Sequence, residues 1–177
     1  MSKGLPSREQ AIRLLYDSGC SSRVIRHCEA VADLAVETAE TLKKKGISVD
    51  VDLVEVGALL HDIGRSKTHG VNHVLVGVRI VEQAGLPASV ISIVKRHVGG
   101  GITAEEAREL GWPVDGVYIP FTLEEKIVSY ADKLIESGKR VPIDRALEQL
   151  FEEGKPEAAN RVLRLHQEID KLVGTQP

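Results

Sequence analysis

Residues 58–73, ALLHDIGRSKTHGVNH, hold three of the six histidines in the chain. In this stretch an apolar run ends at the adjacent pair His61 and Asp62, after which come Gly64 and then two bases. Imidazole nitrogens and carboxylate oxygens are both metal ligands. A site built on this pair needs further side chains from other parts of the chain.

Four other segments each place one histidine or aspartate on the apolar face of a predicted helix. An unpaired buried polar group costs roughly 1–3 kcal/mol, and native stability is only about 5–15 kcal/mol, so these groups must satisfy one another or share an ion. Most of them are acceptors at neutral pH, whereas a divalent metal accepts electron pairs from all of them. The mixed nitrogen and oxygen donors favour Mn, Fe, Co, Ni or Zn over magnesium. The predicted metal ligands are His27, His61, Asp62, His73, His97 and Asp132.

Each of these residues also has a simpler interpretation when taken alone. A single inward histidine is more often hydrogen-bonded to a carbonyl, and His61 suits a helix C-terminus. His69 is either a further site residue or an exposed loop residue. His166 is predicted to be a surface or packing residue. Cys28 follows His27, is turned about 100° from it on a helix, and is predicted to be a core residue.

The elements that position these side chains are predicted to be helices almost throughout, so the fold class is all-α. Periodic strand signals are weak, although GVYIPF at 116–121 suits a short extended segment. Capping boxes are predicted where Thr103 precedes Glu106 and where Thr122 precedes Glu125. The first predicted helix begins at Ser21 or Ser22 and ends at Gly46. The other helices are predicted at 51–62, from Asn72 to Gly85, from Pro87 to His97, and at 103–110, 122–135, 143–153 and 156–173.

Composition limits the function classes. With 177 residues and 42% hydrophobic residues, the chain is predicted to be one compact domain, 1–177. A net charge of −3 gives no global basic surface for nucleic acid or an anionic membrane, so local bases must hold an anionic substrate. The start, MSKGLPSREQ, has no apolar signal core, and the apolar runs are short or interrupted by charge. Two cysteines are too few for a disulfide framework, so we expect a soluble, cytoplasmic protein with reduced thiols and no membrane association.

The ordered motifs resemble the HD-domain metal-dependent phosphohydrolases. The signature of that family is a histidine, a His-Asp pair and a distant aspartate. Here His27, the pair in LLHDIG and Asp132 in EKIVSYADKL match it. The resemblance covers roughly residues 27–134 and implies an all-α core at about 21–136, followed by C-terminal helices at about 142–173. Those last helices either cover the core or pair between subunits, so a homo-oligomer is possible.

The resemblance also bears on the number of ions. Members with two metals carry two further histidines between the pair and the last aspartate, and His73 in NHVLVGV and His97 in IVKRHVGGG occupy those places. The resemblance thus implies one or two ions per chain, with Asp62 bridging them in the dinuclear case. The cyclic-di-GMP phosphodiesterases of the family carry a GYP motif and paired histidines, which this chain lacks, so that substrate is not expected.

The chemistry implied is hydrolysis of a phosphate bond by a metal-activated water. A bound divalent ion lowers the pKa of its water, and a second ion stabilises the charge that develops on the phosphoryl group. With one ion, Asp62 or a nearby carboxylate is expected to position the attacking water, and with two ions the expected nucleophile is a water that bridges them. Arg65 and Lys67 are expected to contact the phosphate, although a solvated loop is the alternative for both bases. Arg96 is a weaker candidate for the same contact.

Two segments near the predicted ligands have open roles. Gly99–Gly101 either let a backbone N–H approach a phosphate or end a helix, and the second is favoured because no nucleotide-loop signature is present. The segment 103–121 suits a lid that carries specificity, with Trp112 and Tyr118 as candidates for stacking on a base.

The predicted function is a metal-dependent phosphohydrolase that cleaves a phosphoester or phosphoanhydride of a small phosphorylated metabolite. A nucleotide or dinucleoside polyphosphate is the first choice, by analogy with bacterial enzymes that share the ordered ligand pattern. The alternatives are a non-catalytic nucleotide-binding regulatory module and an RNA-processing phosphodiesterase. The last needs a basic track that the sequence does not supply.

Overall fold

The computed structural model describes residues 4–174, and 67% of them are helical, which confirms the all-α prediction. Within this range the chain forms nine α-helices, two 3₁₀ turns and one short antiparallel hairpin. The α-helices are α1 (Arg8–Ser18), α2 (Ser22–Lys44), α3 (Val51–Leu60), α4 (His73–Gln83), α5 (Ala88–Arg96), α6 (Ala104–Glu109), α7 (Leu123–Asp132), α8 (Ile143–Glu152) and α9 (Pro156–Val173). The 3₁₀ turns are Ile63–Ser66 and Val98–Gly100, and the strands of the hairpin are β1 (Ile135–Glu136) and β2 (Lys139–Arg140).

The longest helix, α2, forms for the reasons read from its sequence. The Ser21 hydroxyl accepts a hydrogen bond from the backbone N–H of Val24 and caps the helix. Apolar residues then recur every three or four positions, and Val31 and Leu42 have no exposed surface. Two lysines in the last turn stabilise the negative end of the helix dipole.

The main core forms around α2. This helix packs against α3 and α7, while α3 also packs against α1 and α5, and α4 packs against α5. The buried apolar residues of these helices form one continuous cluster. As a result, the C-terminal ends of α3, α5 and α7, the start of α4 and the first part of α2 meet at one place.

Several helix ends differ from the sequence prediction. The second predicted helix stops at Leu60 rather than at Asp62, so that His61 and Asp62 lie at the turn into the first 3₁₀ segment. α7 stops at Asp132, and Ile135 belongs instead to β1. Pro87 precedes α5 as its cap residue. These ends were misplaced because the apolar pattern continues through a turn whose geometry is set by tertiary contacts.

The segment between α5 and α7 has its own small apolar cluster, formed by Val74, Ala107, Trp112 and Tyr118. Both predicted capping boxes, at Thr103 and Thr122, are present. The predicted extended segment at 116–121 is reduced to a single β-bridge between Tyr118 and Ile102.

The C-terminal part places two helices beside this core. β1 and β2 are joined by Ser137 and Gly138, both with positive φ, as a two-residue hairpin requires. α9 packs against α7, α2 and the second 3₁₀ turn, whereas α8 packs chiefly against α9 and has no buried residue. Among residues 4–174 we find no helix that combines the length and hydropathy needed to span a bilayer.

Candidate metal centre

All six predicted metal ligands converge on one buried site. Their ligand atoms form two groups, and within each group the atoms lie within 4.8 Å of one another. The first group contains His27, His61, Asp62 and Asp132, and the second contains Asp62, His73 and His97. Asp62 is therefore shared by both groups.

The first group joins α2, the end of α3 and the end of α7. His27 Nε2 lies 2.9 Å from Asp132 Oδ1 and 3.7 Å from Asp62 Oδ2. His61 Nε2 lies 3.3 Å from Asp132 Oδ1 and 3.5 Å from Asp62 Oδ2. Residues 105 positions apart along the chain thus meet through direct side-chain contacts.

The second group uses the other oxygen of the same carboxylate. Asp62 Oδ1 lies 3.1 Å from His73 Nε2 and 3.3 Å from His97 Nε2. His73 begins α4, and His97 follows α5 directly. Because Oδ2 contacts the first group and Oδ1 the second, Asp62 has the geometry of a bridging ligand.

The protonation of three of the rings follows from their outer contacts. His61, His73 and His97 each place Nδ1 against the backbone carbonyl of the residue three positions earlier, at 2.5, 2.8 and 2.8 Å. A carbonyl accepts only, so each Nδ1 carries the proton and donates it. In the neutral rings, every Nε2 therefore directs a lone pair into the centre.

Within residues 4–174, the lone pair of His61 meets no hydrogen-bond donor, and those of His73 and His97 face each other. His73 Nε2 and His97 Nε2 lie 3.2 Å apart, so neutral rings would bring two acceptors into contact. His61 Nε2 is buried, and none of the described residues gives it a contact with the geometry of a hydrogen bond. A set of imidazole and carboxylate acceptors that face one another fits divalent transition ions.

Charge and burial act strongly on these groups. Burial works to lower the pKa of His61, but the charges of Asp62 and Asp132 outweigh it and raise the pKa to about 9. Burial works to raise the pKa of Asp62, but the positive charge of His61 beside it outweighs burial and holds the pKa well below its usual range. The pKa of His97 is lowered, chiefly by burial.

Gly64 explains why the His-Asp pair is followed so closely by glycine. A Cβ at this position would lie 1.8 Å from the carbonyl oxygen of His73 and 2.7 Å from the backbone nitrogen of Gly77. Only a glycine lets the turn after Asp62 approach the first turn of α4 this closely. This contact brings the ligands of the second group together.

Two further residues hold the ligands in place. The Ser129 hydroxyl of α7 donates to the backbone carbonyl of His97, at 3.0 Å in the buried interior. The Arg65 Nε atom lies 3.0 Å from Asp62 Oδ2, and its Nη1 donates to the carbonyl of His69 at 2.9 Å. Sequence reasoning named Arg65 but missed both Ser129 and the carbonyls that orient the rings.

A cavity of about 640 Å³ opens onto the centre. Arg65, His69, His73, His97 and Asp132 line one side of it. The hairpin, α8 and the turn after α8 line the other side, which sequence reasoning did not identify. The available signal was the apolar stripe of α8, none of whose residues is fully buried in the fold.

The structure separates the remaining basic and histidine candidates. Lys67 is exposed and does not line the cavity, so the structure does not bring it together with the six ligands. His69 lies at the cavity edge, where its backbone carbonyl holds Arg65. Arg96 is used elsewhere, because its Nη1 lies 3.1 Å from both oxygens of the buried Glu125.

The suggested stacking platform is wrong. Trp112 and Tyr118 are only 3% and 2% exposed, and they pack against each other in the small second cluster. The indole N–H donates to Asn72 Oδ1, and the Asn72 side chain makes no capping hydrogen bond to α4. No residue of the segment 103–121 lines the cavity, which removes the basis for a lid there.

Three other interpretations agree with the structure. Gly99, Gly100 and Gly101 all have positive φ after the end of α5, which is the helix-stop role. Cys28 is a buried free thiol of the core. His166 is a packing residue that stacks on Tyr130 and pairs with Asp170 at 2.9 Å.

Comparison with known sequences adds an independent result. The family model for the HD domain matches residues 24–136. A protein of Methanocaldococcus jannaschii named "Uncharacterized protein MJ0778" is 47% identical over 168 residues, which cover 93% of this chain and 98% of that protein. The tRNA (cytidine(56)-2'-O)-methyltransferase of Thermoplasma volcanium is 39% identical over 172 residues, 97% of this chain but 49% of that protein. The chain thus spans about half the length of this methyltransferase.

Shorter matches and solved structures point the same way. Ribonuclease Y of Acidothermus cellulolyticus is 33% identical over 87 residues, 48% of this chain and 17% of that protein. The crystal structure of the HD domain of phosphodiesterase PgpH from L. monocytogenes superposes with a TM-score of 0.54 at 18% identity, covering 93% of this chain and 95% of that one. A second structure of that domain, in complex with cyclic-di-AMP, gives 0.53 at 19% identity, covering 93% and 94%. At such identity these two show a common fold. The family match over residues 24–136, which is more than half of the chain, establishes that this chain belongs to the HD-domain family.

Proposed function

We propose that the protein is a metal-dependent phosphohydrolase with a dinuclear site bridged by Asp62. The observation that carries the proposal is the pair of ligand groups that share this carboxylate, with ligand atoms within 4.8 Å of one another in each. His27, His61 and Asp132 would complete the first ion site, and His73 with His97 the second. Mn, Fe, Co, Ni and Zn all suit these donors.

Bound divalent ions would supply an activated water and stabilise charge on the phosphoryl group. The chain supplies the rest of the chemistry. The Nδ1 contacts of three histidines keep their Nε2 lone pairs inward. Arg65, which lines the cavity beside Asp62, has guanidinium donors left over from its two contacts with which to hold a phosphate oxygen.

The proposed substrate is a phosphoester or phosphoanhydride of a small metabolite, with a nucleotide as first choice. A cavity of about 640 Å³ is within the size range of small-molecule sites. The fold neighbour PgpH has a crystal structure with cyclic-di-AMP, a nucleotide ligand, which supports this substrate class. The alternative function, a non-catalytic nucleotide-binding regulatory module, would use the same pocket. It would differ only in that the bound nucleotide is not hydrolysed.

An RNA substrate is the second candidate. It is favoured by the names of two relatives, a tRNA methyltransferase that this chain matches over half its length and ribonuclease Y. The net charge of −3 and the acidic residues in the cavity argue against it, because RNA binding relies on several phosphate contacts from bases.

The test is hydrolysis by the full chain after metal removal and reconstitution with manganese, iron, nickel or zinc. The panel contains nucleoside mono-, di- and triphosphates, a dinucleoside polyphosphate, cyclic dinucleotides and a short single-stranded RNA. We expect turnover of a nucleotide that depends on added metal and is lost in Asp62→Ala. His166→Gln, which lies outside the centre, should retain activity near wild type.

Each other outcome has a defined meaning. Turnover of RNA alone, at a rate that falls steeply with salt, would favour the second candidate. No turnover of any substrate with metal bound would leave the nucleotide-binding module. An active, fully metallated Asp62→Ala variant would contradict the proposed centre.

A further inference from the structure

The wall of the cavity that faces the metal centre comes mostly from a part of the chain beyond the family match. That match ends at residue 136, whereas α8 and the turn after it contribute much of this wall. We call it the α8 wall. It consists of Ile135, Glu136, Val141, Arg145, Ala146, Glu148, Gln149, Leu150, Glu152, Glu153 and Lys155.

The α8 wall has an apolar strip that the fold covers only in part, since Val141, Ala146 and Leu150 are half-buried. In IDRALEQLFE, apolar residues recur at helical spacing, yet no residue of α8 is buried. An amphipathic helix of a globular protein normally packs its apolar side into a core. Ala146 and Leu150 face the cavity instead, together with Ile135 and Val141. This side of the cavity therefore offers apolar surface to a ligand.

The charge of the α8 wall is negative. Arg145 pairs with Glu136 at 3.2 Å, and Lys155 pairs with Glu153 at 2.8 Å. The wall has four glutamates against these two bases, an excess of two negative charges, although Arg145 also interacts electrostatically with Glu148. Lys133, which lines the cavity as well, interacts with Glu153. The opposite side has Arg65 and the predicted ions. A phosphate is therefore attracted to the centre and repelled from the α8 wall.

We propose that the α8 wall binds the uncharged base of a nucleotide that carries phosphate at one end only, such as a nucleoside monophosphate. The inference rests on the proposed function, because the phosphate end must lie at the metal centre. The base contacts the apolar strip. The Gln149 amide lies on the same wall, where one N–H donates to Glu153 Oε1 at 2.9 Å, and its second N–H and its oxygen offer a donor and an acceptor to the polar edge of the base. A triphosphate or an RNA strand would place further phosphates against Glu148 and Glu152.

The first experiment measures base binding separately from turnover. Saturation-transfer NMR records contact between the protein and the base protons of a nucleoside monophosphate, with the chain free of metal and loaded with zinc. Leu150→Gln places a polar group of similar size on the strip. Phe151→Gln is its matched control, because Phe151 is 55% exposed on the same helix and does not line the cavity.

We expect Leu150→Gln to weaken binding about tenfold, because it removes apolar contact of the order that burying part of a leucine supplies. Phe151→Gln should change binding by about twofold or less, as surface substitutions do. The same contrast should appear in KM where turnover occurs. Equal weakening of base binding in the two variants would overturn the inference. A loss of base binding in Phe151→Gln that accompanies a change of oligomeric state from dimer to monomer would overturn it as well.

The second experiment tests the charge. The wild type is expected to prefer the nucleoside monophosphate over the triphosphate. In the double variant Glu148→Lys with Glu152→Lys, the ratio of kcat/KM for the triphosphate to kcat/KM for the monophosphate should rise by about tenfold or more. A wild-type preference for triphosphates or RNA would overturn the inference while leaving the phosphohydrolase intact. If Leu150→Gln loses base binding while the wild type turns over no substrate, the result would support base binding by the α8 wall and contradict the proposed function.

Discussion

His61 is the residue at which the electrostatics and the chemistry of the centre meet. It is fully buried, and its pKa is raised to about 9 because two carboxylates surround it. The same lone pair that takes up this proton is a predicted metal ligand. A proton and a metal ion therefore compete for one nitrogen atom.

This competition predicts the pH dependence of metal binding. Below pH 9 the metal-free chain holds a proton on His61, and each ion that enters the first group must expel it. Apparent affinity for zinc should rise up to about tenfold per pH unit between pH 6.5 and 8.5. Calorimetry in buffers of different ionisation enthalpy should detect about one proton released per first-group ion at pH 7.5. An affinity that does not change over this range would contradict the assignment of His61.

The short turn after Asp62 is the element that decides whether the two ligand groups share a carboxylate. Its close approach to α4 requires Gly64, since a Cβ there would lie 1.8 Å from the carbonyl oxygen of His73. The sequence showed the glycine, but only the packing of the turn on α4 shows why it is needed.

Gly64→Ala should therefore destabilise the fold and loosen the second ligand group. We expect a loss of about 1–3 kcal/mol or more in the free energy of unfolding, because backbone atoms must move to make room. Gly70→Ala is the matched control, since a Cβ at Gly70 has nothing within 4 Å. Denaturant unfolding of both variants measures the difference, and equal stabilities would show that the close approach is not required.

The segment between α5 and α7 is fixed to the protein rather than poised over the cavity. The Trp112 indole N–H donates to Asn72 Oδ1 at 2.8 Å, next to the start of α4. Trp112→Phe should cost about 1 kcal/mol of stability through this hydrogen bond, together with some lost packing. Its KM for a nucleotide should match wild type. A large rise in KM with unchanged stability would restore Trp112 as a stacking residue.

Considered as a whole, the molecule is a helical frame whose helix ends supply one polar centre. Five helices, α2, α3, α4, α5 and α7, contribute to this centre. The electrostatic repulsion or attraction between its charged side chains therefore affects the stability of the entire fold. Metal binding is thus linked to global stability.

The stability of the metal-free chain should depend on pH in a direction set by His61. Its pKa is higher in the folded than in the unfolded chain, so its contribution is complete below about pH 6.5 and is lost as pH rises through 9. Unfolding of the metal-free chain should become easier over this window, by on the order of 3 kcal/mol. Zinc at 100 times its Kd should restore about 2.7 kcal/mol per ion. Thermal unfolding with and without chelator tests both statements, and equal Tm values at pH 6.5 and 9 without metal would contradict them.

The sequence predicts the fold class and all six central residues because both depend on local patterns. Helical spacing places His27 and Asp132 on apolar faces, and the order of motifs matches the family. It does not predict the α8 wall, since the periodicity of α8 says that one face is apolar but not what that face meets. It also misassigns Trp112, because an aromatic side chain has the same local signature in a core as in a binding site.

The most direct test of the dinuclear centre is the number of ions per chain, measured by elemental mass spectrometry on tag-free protein as purified and after reconstitution. The centre described here predicts two ions in the wild type, one in His97→Ala and none retained in Asp62→Ala. A single ion in the wild type would restrict the site to His27, His61, Asp62 and Asp132. No ion under any condition, or two ions in Asp62→Ala, would contradict the centre altogether.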